Sequence, residues 1–161
     1  MNLYIIRHSE AEYIGTGANG DRQLTPEGRN LIRESAKRWF SFTTVPSLIL
    51  SSPALRTIQT MDEIVAALNY TGEKSITNDL KSGSSIGGIF SMLREFDSDS
   101  IMLIMHEPET SLLLGESCGF RDVNLYFKPG TIAKVVFPAK PRAGAGKLHF
   151  FLPPEVFAQK S

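Results

Sequence analysis

The stretch Leu3-Tyr4-Ile5-Ile6-Arg7-His8-Ser9-Glu10 decides how this chain is read. Residues 3–6 form an apolar run of the length of a strand buried on both faces. It gives way at once to Arg7 and His8, so ionisable groups stand at a strand's carboxyl end. Two more runs of this kind, residues 48–50 and 101–105, recur along the chain with helix-like segments between them. That alternation predicts an α/β fold with a parallel core.

The first helix is expected to start at Thr25-Pro26, a capping hydroxyl followed by proline at the first helical position. Leu31, Ile32, Ser35, Ala36 and Trp39 share one of its faces, and it ends ahead of Pro46. By the same logic Ser52-Pro53 starts a second helix, with Leu55, Ile58, Met61, Val65 and Leu68 inward and Asn69 and Gly72 stopping it. A third is predicted over residues 86–96, with Ile89, Phe90 and Leu93 inward, and a fourth over residues 108–118. Residues 131–137 and 147–152 are β-rich and read as a hairpin joined by a flexible Pro/Gly/Ala loop, residues 138–146. No internal repeat is visible. The 161 residues read as one domain, 1–161, with a short tail after Pro154. A chain of that size buries about two thirds of the surface its unfolded form exposes.

Lys+Arg and Asp+Glu both number 17, so the formal charge is +0. No global field steers the chain toward nucleic acid or anionic membrane, and any anion site must be local. The single Cys118 has no partner for an intramolecular disulfide and reads as a small buried hydrophobe, which suits a reducing compartment. The N-terminus lacks the basic region and cleavage site of a signal peptide, and no stretch reaches the roughly 18 apolar residues of a membrane span. A soluble, cytoplasmic protein is expected.

In an open parallel sheet, ligands bind beyond the carboxyl ends of the strands. The residues there are Arg7-His8-Ser9-Glu10 after the first run, Ser51-Ser52-Pro53 leading to Arg56 after the second, and His106-Glu107-Pro108 after the third. Two arginines and two histidines thus meet at one edge. A neutral His8, one ring N–H held by a backbone carbonyl, presents the other nitrogen's lone pair to phosphorus. Arg7 and Arg56 match phosphate oxygens bidentately. His106, protonated beside that anion, donates to an equatorial oxygen and offsets charge in the transition state. Phosphoryl transfer needs mainly positioning and charge stabilisation, so no metal or cofactor is expected.

These residues resemble the histidine phosphatase superfamily, whose founding pattern is a strand followed by Arg-His-Gly. Here the pattern is YIIRHSE, with Ser9 in place of the glycine, followed by LTPEG at residues 24–28, SSPALRTIQT at 51–60, IMHEPE at 104–109 and PGTIAKVVF at 129–137. Compact length, the His-x-Pro after the third strand and the Thr-Ile-Ala strand are most similar to SixA-type phosphohistidine phosphatases. The resemblance implies a phosphoglycerate mutase-like three-layer α/β/α sandwich, with Arg7, His8, Arg56 and His106 as its central residues. It also implies Arg22 at the rim of the phosphate site and a general acid near Asp79; Glu10, which follows the nucleophile closely, is a second candidate acid.

The expected activity is phosphate hydrolysis through a covalent phosphohistidine at His8, acting on a phosphorylated protein or a small phosphorylated metabolite, with phosphate or sulfate able to occupy the site. Phosphohistidine suits a site with a weak general acid, because an imidazole leaves more readily than an alkoxide. A metabolite phosphomonoesterase or mutase is the nearest alternative; its lid candidate is residues 81–88. A non-catalytic phosphate-binding module and a metal protein using His8 and His106 follow, the last disfavoured because Arg7 and Arg56 repel a cation. His149 falls in a late strand outside the site and reads as structural or exposed.

Overall fold

Alternation along the strands builds two cores rather than one. In the computed structural model, which describes residues 1–157, β1 (Asn2–Arg7) sends Leu3 and Ile5 to one face and Tyr4 and Ile6 to the other. The strands β2 (Leu48–Ser51) and β4 (Ser100–Met105) divide in the same way: Leu48, Leu50, Ile101, Leu103 and Met105 join the first core, and Ile49, Met102 and Ile104 the second. Both faces of the central strands are therefore covered, as a parallel sheet requires.

Helices α1 (Pro26–Trp39) and α2 (Leu55–Leu68) close the second core, while α3 (Ile86–Glu95) and α4 (Glu109–Cys118) close the first. With β3 (Glu73–Ile76), β5 (Ile132–Val136) and β6 (Lys147–Leu152), the sheet has six strands in the order β3-β2-β4-β1-β5-β6. The β3–β2, β2–β4 and β4–β1 pairs are parallel, and β5 and β6 are added antiparallel. This is the α/β/α sandwich with a mainly parallel sheet.

Thr25 caps α1 as expected, accepting the Gly28 amide at 2.9 Å, and Ile32, Ser35, Ala36 and Trp39 are buried with Leu31 at the margin. Helix α2 differs from expectation in start and face. Ala54, not Ser52, is its N-cap, because the Ser52 hydroxyl is taken by a histidine ring. Its buried face runs through Thr57, Thr60, Met61 and Ile64, leaving Leu55, Ile58, Val65 and Leu68 partly exposed. The two threonines are buried because each hydroxyl donates to a backbone carbonyl, Thr57 to Ser52 and Ala54, Thr60 to Arg56. Buried Glu63 on the same helix draws Arg29 and Arg33 of α1 onto it at 3.2 and 2.6 Å.

Asn69 ends α2 in the left-handed conformation, as its sequence position suggested. The strand β3 (Glu73–Ile76) was not expected: all four residues are exposed, and it exists through parallel pairing with β2 at the sheet edge. The 138–146 connection is tied to α4, where Gly144 and Gly146 donate to the carbonyls of Glu116 and Ser117 at 2.8 Å. His149 is exposed on β6, and Cys118 is half-buried at the end of α4. Among the described residues no helix is long and apolar enough to cross a membrane. The sequence tail after Pro154 begins with a short 3-10 turn, Pro154–Val156, and its last residues, 158–161, lie outside the described residues.

Thr25→Ala removes the α1 cap and is expected to cost about 1 kcal/mol. Thermal unfolding should then show a Tm lower by roughly 2–4 °C for a chain of this size.

Candidate active site

Backbone hydrogen bonds carry the sheet ladder one step beyond its strands and line up the three strand ends. The His8 amide donates to the Met105 carbonyl at 3.0 Å and the Ser52 amide to the Ile104 carbonyl at 3.1 Å. His8, Ser52 and His106 are thereby fixed side by side at the carboxyl edge, where the N-termini of α2 and α4 begin. Helix N-termini carry unpaired amides and partial positive charge, a setting for an anion.

Both imidazoles are buried, His8 at 6% and His106 at 3% exposure, with ring centroids 5.5 Å apart. The Nδ1 of His8 lies 2.7 Å from the Ser9 carbonyl, which can only accept, so Nδ1 carries the proton and Nε2 the lone pair. The Arg56 Nε–H donates to that Nε2 at 3.3 Å. A second Arg56 nitrogen donates to His106 Nδ1 at 3.1 Å, which places the His106 proton on Nε2, where it donates to Ser52 Oγ at 2.8 Å. One guanidinium therefore bridges both rings.

Burial, followed by the charges of Arg56 and neighbouring groups, depresses the His8 pKa to about 3, with the Ser9 carbonyl opposing. Burial, then Arg56 and Arg7, depress that of His106 to about 4. Both rings are neutral at physiological pH. For His8 this is the state a nucleophile needs. For His106 the donor role expected from sequence requires a proton that its cationic neighbours resist, and only an anion set among them would favour it.

Arg7 donates to the Phe127 carbonyl at 2.6 Å, and its Nε is buried with no partner among the described residues. Arg56 occupies the first turn of α2, where a cation opposes the helix dipole. Its pKa is lowered by burial first, then by the charge of Arg22, with Asp21 opposing and Arg7 adding to the lowering. Arg22, whose Nε donates to the Glu12 carbonyl, thus stands close enough to act on Arg56. An oxyanion would relieve this concentration of donors and positive charge.

The general-acid candidates are not joined to this network by hydrogen bonds. Asp79 is exposed in a 3-10 turn, Asn78–Leu80, and its carboxylate accepts from the Thr77 hydroxyl at 3.0 Å. The Thr77 amide itself donates to the Ser51 carbonyl at 2.9 Å, so the turn borders the same sheet edge. Glu10 is exposed in the loop after His8. Ser9, by contrast, is fully buried and donates to the Gly28 carbonyl at 2.7 Å. Its side chain knits the loop to α1, which comes so close that a Cβ at Gly28 would lie 2.2 Å from the Glu10 carbonyl oxygen.

Three contributors were not read from the sequence. Ser52 orients His106, the Phe127 carbonyl holds Arg7, and Thr60 joins Arg56 to Ser9, the residue after His8, by donating to the Arg56 carbonyl at 2.7 Å while accepting the Ser9 amide at 3.0 Å. Ser52 had a signal, its position after a strand, which the capping reading absorbed. Among the described residues no group of three or more His, Cys, Asp or Glu side chains is placed to hold a metal ion.

The model of the histidine phosphatase superfamily (branch 1) matches residues 3–81. The phosphohistidine phosphatase SixA of Escherichia coli K12 is 27% identical over 122 residues, 73% of this chain and 74% of that protein. A structure of the protein histidine phosphatase SixA complexed with tungstate superposes with a TM-score of 0.84 at 24% identity, covering 98% of this chain and 100% of that one. Phosphoserine phosphatase from Entamoeba histolytica in complex with 3-phosphoglyceric acid gives 0.62 at 20% identity, covering 93% and 95%.

The depressed pKa values make a pH prediction. In the unfolded chain these histidines take up protons near pH 6.5, whereas His8 and His106 do so only near 3 and 4 when folded. Their contribution to stability should therefore hold its plateau above pH 6.5 and fall as pH drops from there toward 3, because the unfolded state binds more protons in that window. Ring-proton NMR of the folded protein should show neither of these two histidines titrating between about pH 8 and 5.5.

Proposed function

We propose that the chain is a phosphatase of the histidine phosphatase superfamily, a reading its similarities support, and that it removes phosphoryl groups from phosphohistidine on proteins, with residues 1–161 acting as one catalytic domain. The observation that carries the reading is the fixed His8 tautomer: Nδ1–H against the Ser9 carbonyl and an Nε2 lone pair presented among guanidinium groups.

In this proposal the phosphoryl oxygens take the donors of Arg7 and Arg56, and Arg56 gives up its Nε–H contact with His8 to them. His8 Nε2 then forms a bond to phosphorus while the bond from phosphorus to the leaving group breaks, and the electron pair departs with the leaving group. His106, which draws a proton once the dianion faces it, donates to an equatorial oxygen, with Ser52 holding the ring in place. Water attacks the phosphohistidine in the second half, returning neutral His8 and phosphate. Arg22 adds positive charge at the rim.

Leaving-group chemistry supports a phosphohistidine substrate. Departing imidazole is a weakly basic nitrogen and asks less of a general acid than an alkoxide does. Asp79, engaged with Thr77, and Glu10, in the exposed loop, remain the acids we assign for any substrate that needs one. Phosphate or sulfate would fit the same donors. No cofactor enters this scheme. We place the activity in the cytoplasm, which the lone Cys118 suits.

Phosphate release should be measured with the purified protein and with His8→Ala, using a phosphohistidine peptide, a phosphoserine peptide and 3-phosphoglycerate in parallel. The expected result is release from the phosphohistidine peptide, reduced by at least about a thousandfold in the variant, as loss of a nucleophile implies. Faster release from the other two substrates would make the protein a metabolite or phosphoester enzyme. Tight phosphate binding without release or labelling of His8 would make it a binding module.

A further inference from the structure

Two carboxylates are buried among the described residues, and only one has an evident structural reason. Glu63 answers Arg29 and Arg33. Glu109, 5% exposed, has no ion-pair partner among the described residues. Its Oε1 accepts the Gly83 amide at 2.7 Å, and its Oε2 is buried without a hydrogen bond. A buried carboxylate satisfied on one oxygen detracts from stability, so its place calls for another explanation.

Glu109 opens α4 three residues beyond His106, and the next residue, Thr110, donates its amide to the His106 carbonyl at 2.9 Å. Gly83 lies in the loop 81–85, which runs from the turn Asn78–Leu80 to α3. One end is fixed by buried Leu80 and by the Thr77 amide on the Ser51 carbonyl, the other by Ser85, which caps α3. The loop therefore leaves the carboxyl edge of the sheet beside the site, and the segment that carries His106 pins it at mid-length. Gly83 has φ +87°, with nothing within 4 Å of a Cβ built there. Glycine at this position serves the path of the loop rather than its packing. That path leaves Lys81 and Ser82 exposed.

We propose that Glu109 is a positioning residue: it fixes the loop 81–85 at the rim of the active site so that the loop contacts the part of a protein substrate that lies beyond the phosphoryl group. The proposal rests on the phosphatase reading above. In-line attack by His8 expels the leaving group away from Nε2, toward the mouth of the pocket, whereas the phosphoryl group itself is held by Arg7, Arg56 and His106. A loop displaced at the rim weakens recognition of a peptide and leaves the chemistry of a small ester intact.

The test compares wild type, Glu109→Ala and Glu109→Gln on a phosphohistidine peptide and on para-nitrophenyl phosphate. Glu109→Ala should raise the peptide KM about tenfold, the effect of one lost hydrogen bond's worth of positioning, with kcat and the small-ester KM within about twofold. Glu109→Gln keeps an acceptor for the Gly83 amide and should behave as wild type. Equal losses on both substrates with a lower Tm, no change on either, or a glutamine variant as impaired as alanine would each overturn the assignment. Glu109→Asp, one methylene shorter, covers the case in which the alanine variant does not fold. It should raise the peptide KM and expose the Gly83 amide to hydrogen exchange together, and either change without the other overturns the role. If wild type cleaves the small ester but not the phosphohistidine peptide, the substrate reading fails while the loop is judged by the same comparison on a phosphoserine peptide.

Discussion

Parallel pairing of β1 with β4, and of β4 with β2, is the constraint on which the functional edge depends. Parallel strands end on the same side, so residues far apart in sequence become neighbours without any contact between their side chains having to arrange it. The register aligns Arg7 with Met105 and Ser51 with Ile104, and the ladder then continues to the amides of His8 and Ser52. A slip of one residue would turn Leu3 and Ile5 toward the wrong helical layer and carry His8 away from Arg56. The two apolar cores that flank the sheet thus enforce the geometry of the polar site at its edge.

Electrostatics at that edge work against the protein's stability. Arg7 and Arg56 are gathered beside two imidazoles, Arg22 acts on Arg56, and Arg56 lies at the positive end of a helix. The arrangement is tolerated because both rings stay neutral and each spends its single proton on a fixed acceptor, a carbonyl for His8 and a hydroxyl for His106. The overall charge balance means that this positive field is local, felt by an anion at the edge and not by a polyanion at a distance.

Residues whose role depends on local pattern were legible in the sequence. The apolar runs marked β1, β2 and β4, Thr25-Pro26 marked the start of α1, and the strand ends marked Arg7, His8, Arg56 and His106 as neighbours. What escaped was set by partners distant in the chain. The face of α2 was read only in part: Met61, Val65 and Leu68 do pack on the second core, but hydropathy counts a threonine as polar, although Thr57 and Thr60 lose that polarity to backbone carbonyls. Ser52 looked like a helix cap because its claim by the His106 ring spans 54 positions. Strand β3 had no apolar run to reveal it, since its order comes wholly from the neighbour it pairs with.

That same strand has a consequence for how copies of the molecule behave toward one another. A parallel sheet that stops at β3 offers a row of unpaired backbone groups to any passing chain, the template from which fibrils grow. Here the rim is only four residues long, Glu73–Ile76, and it carries a carboxylate and an ammonium on its first two positions. At the opposite margin, β6 begins with Lys147 and pairs through a break in register at Lys134 and Val135. Neither margin gives a second copy a long, regular strand free of charge on which to extend the sheet, which disfavours edge-to-edge stacking of one molecule on another.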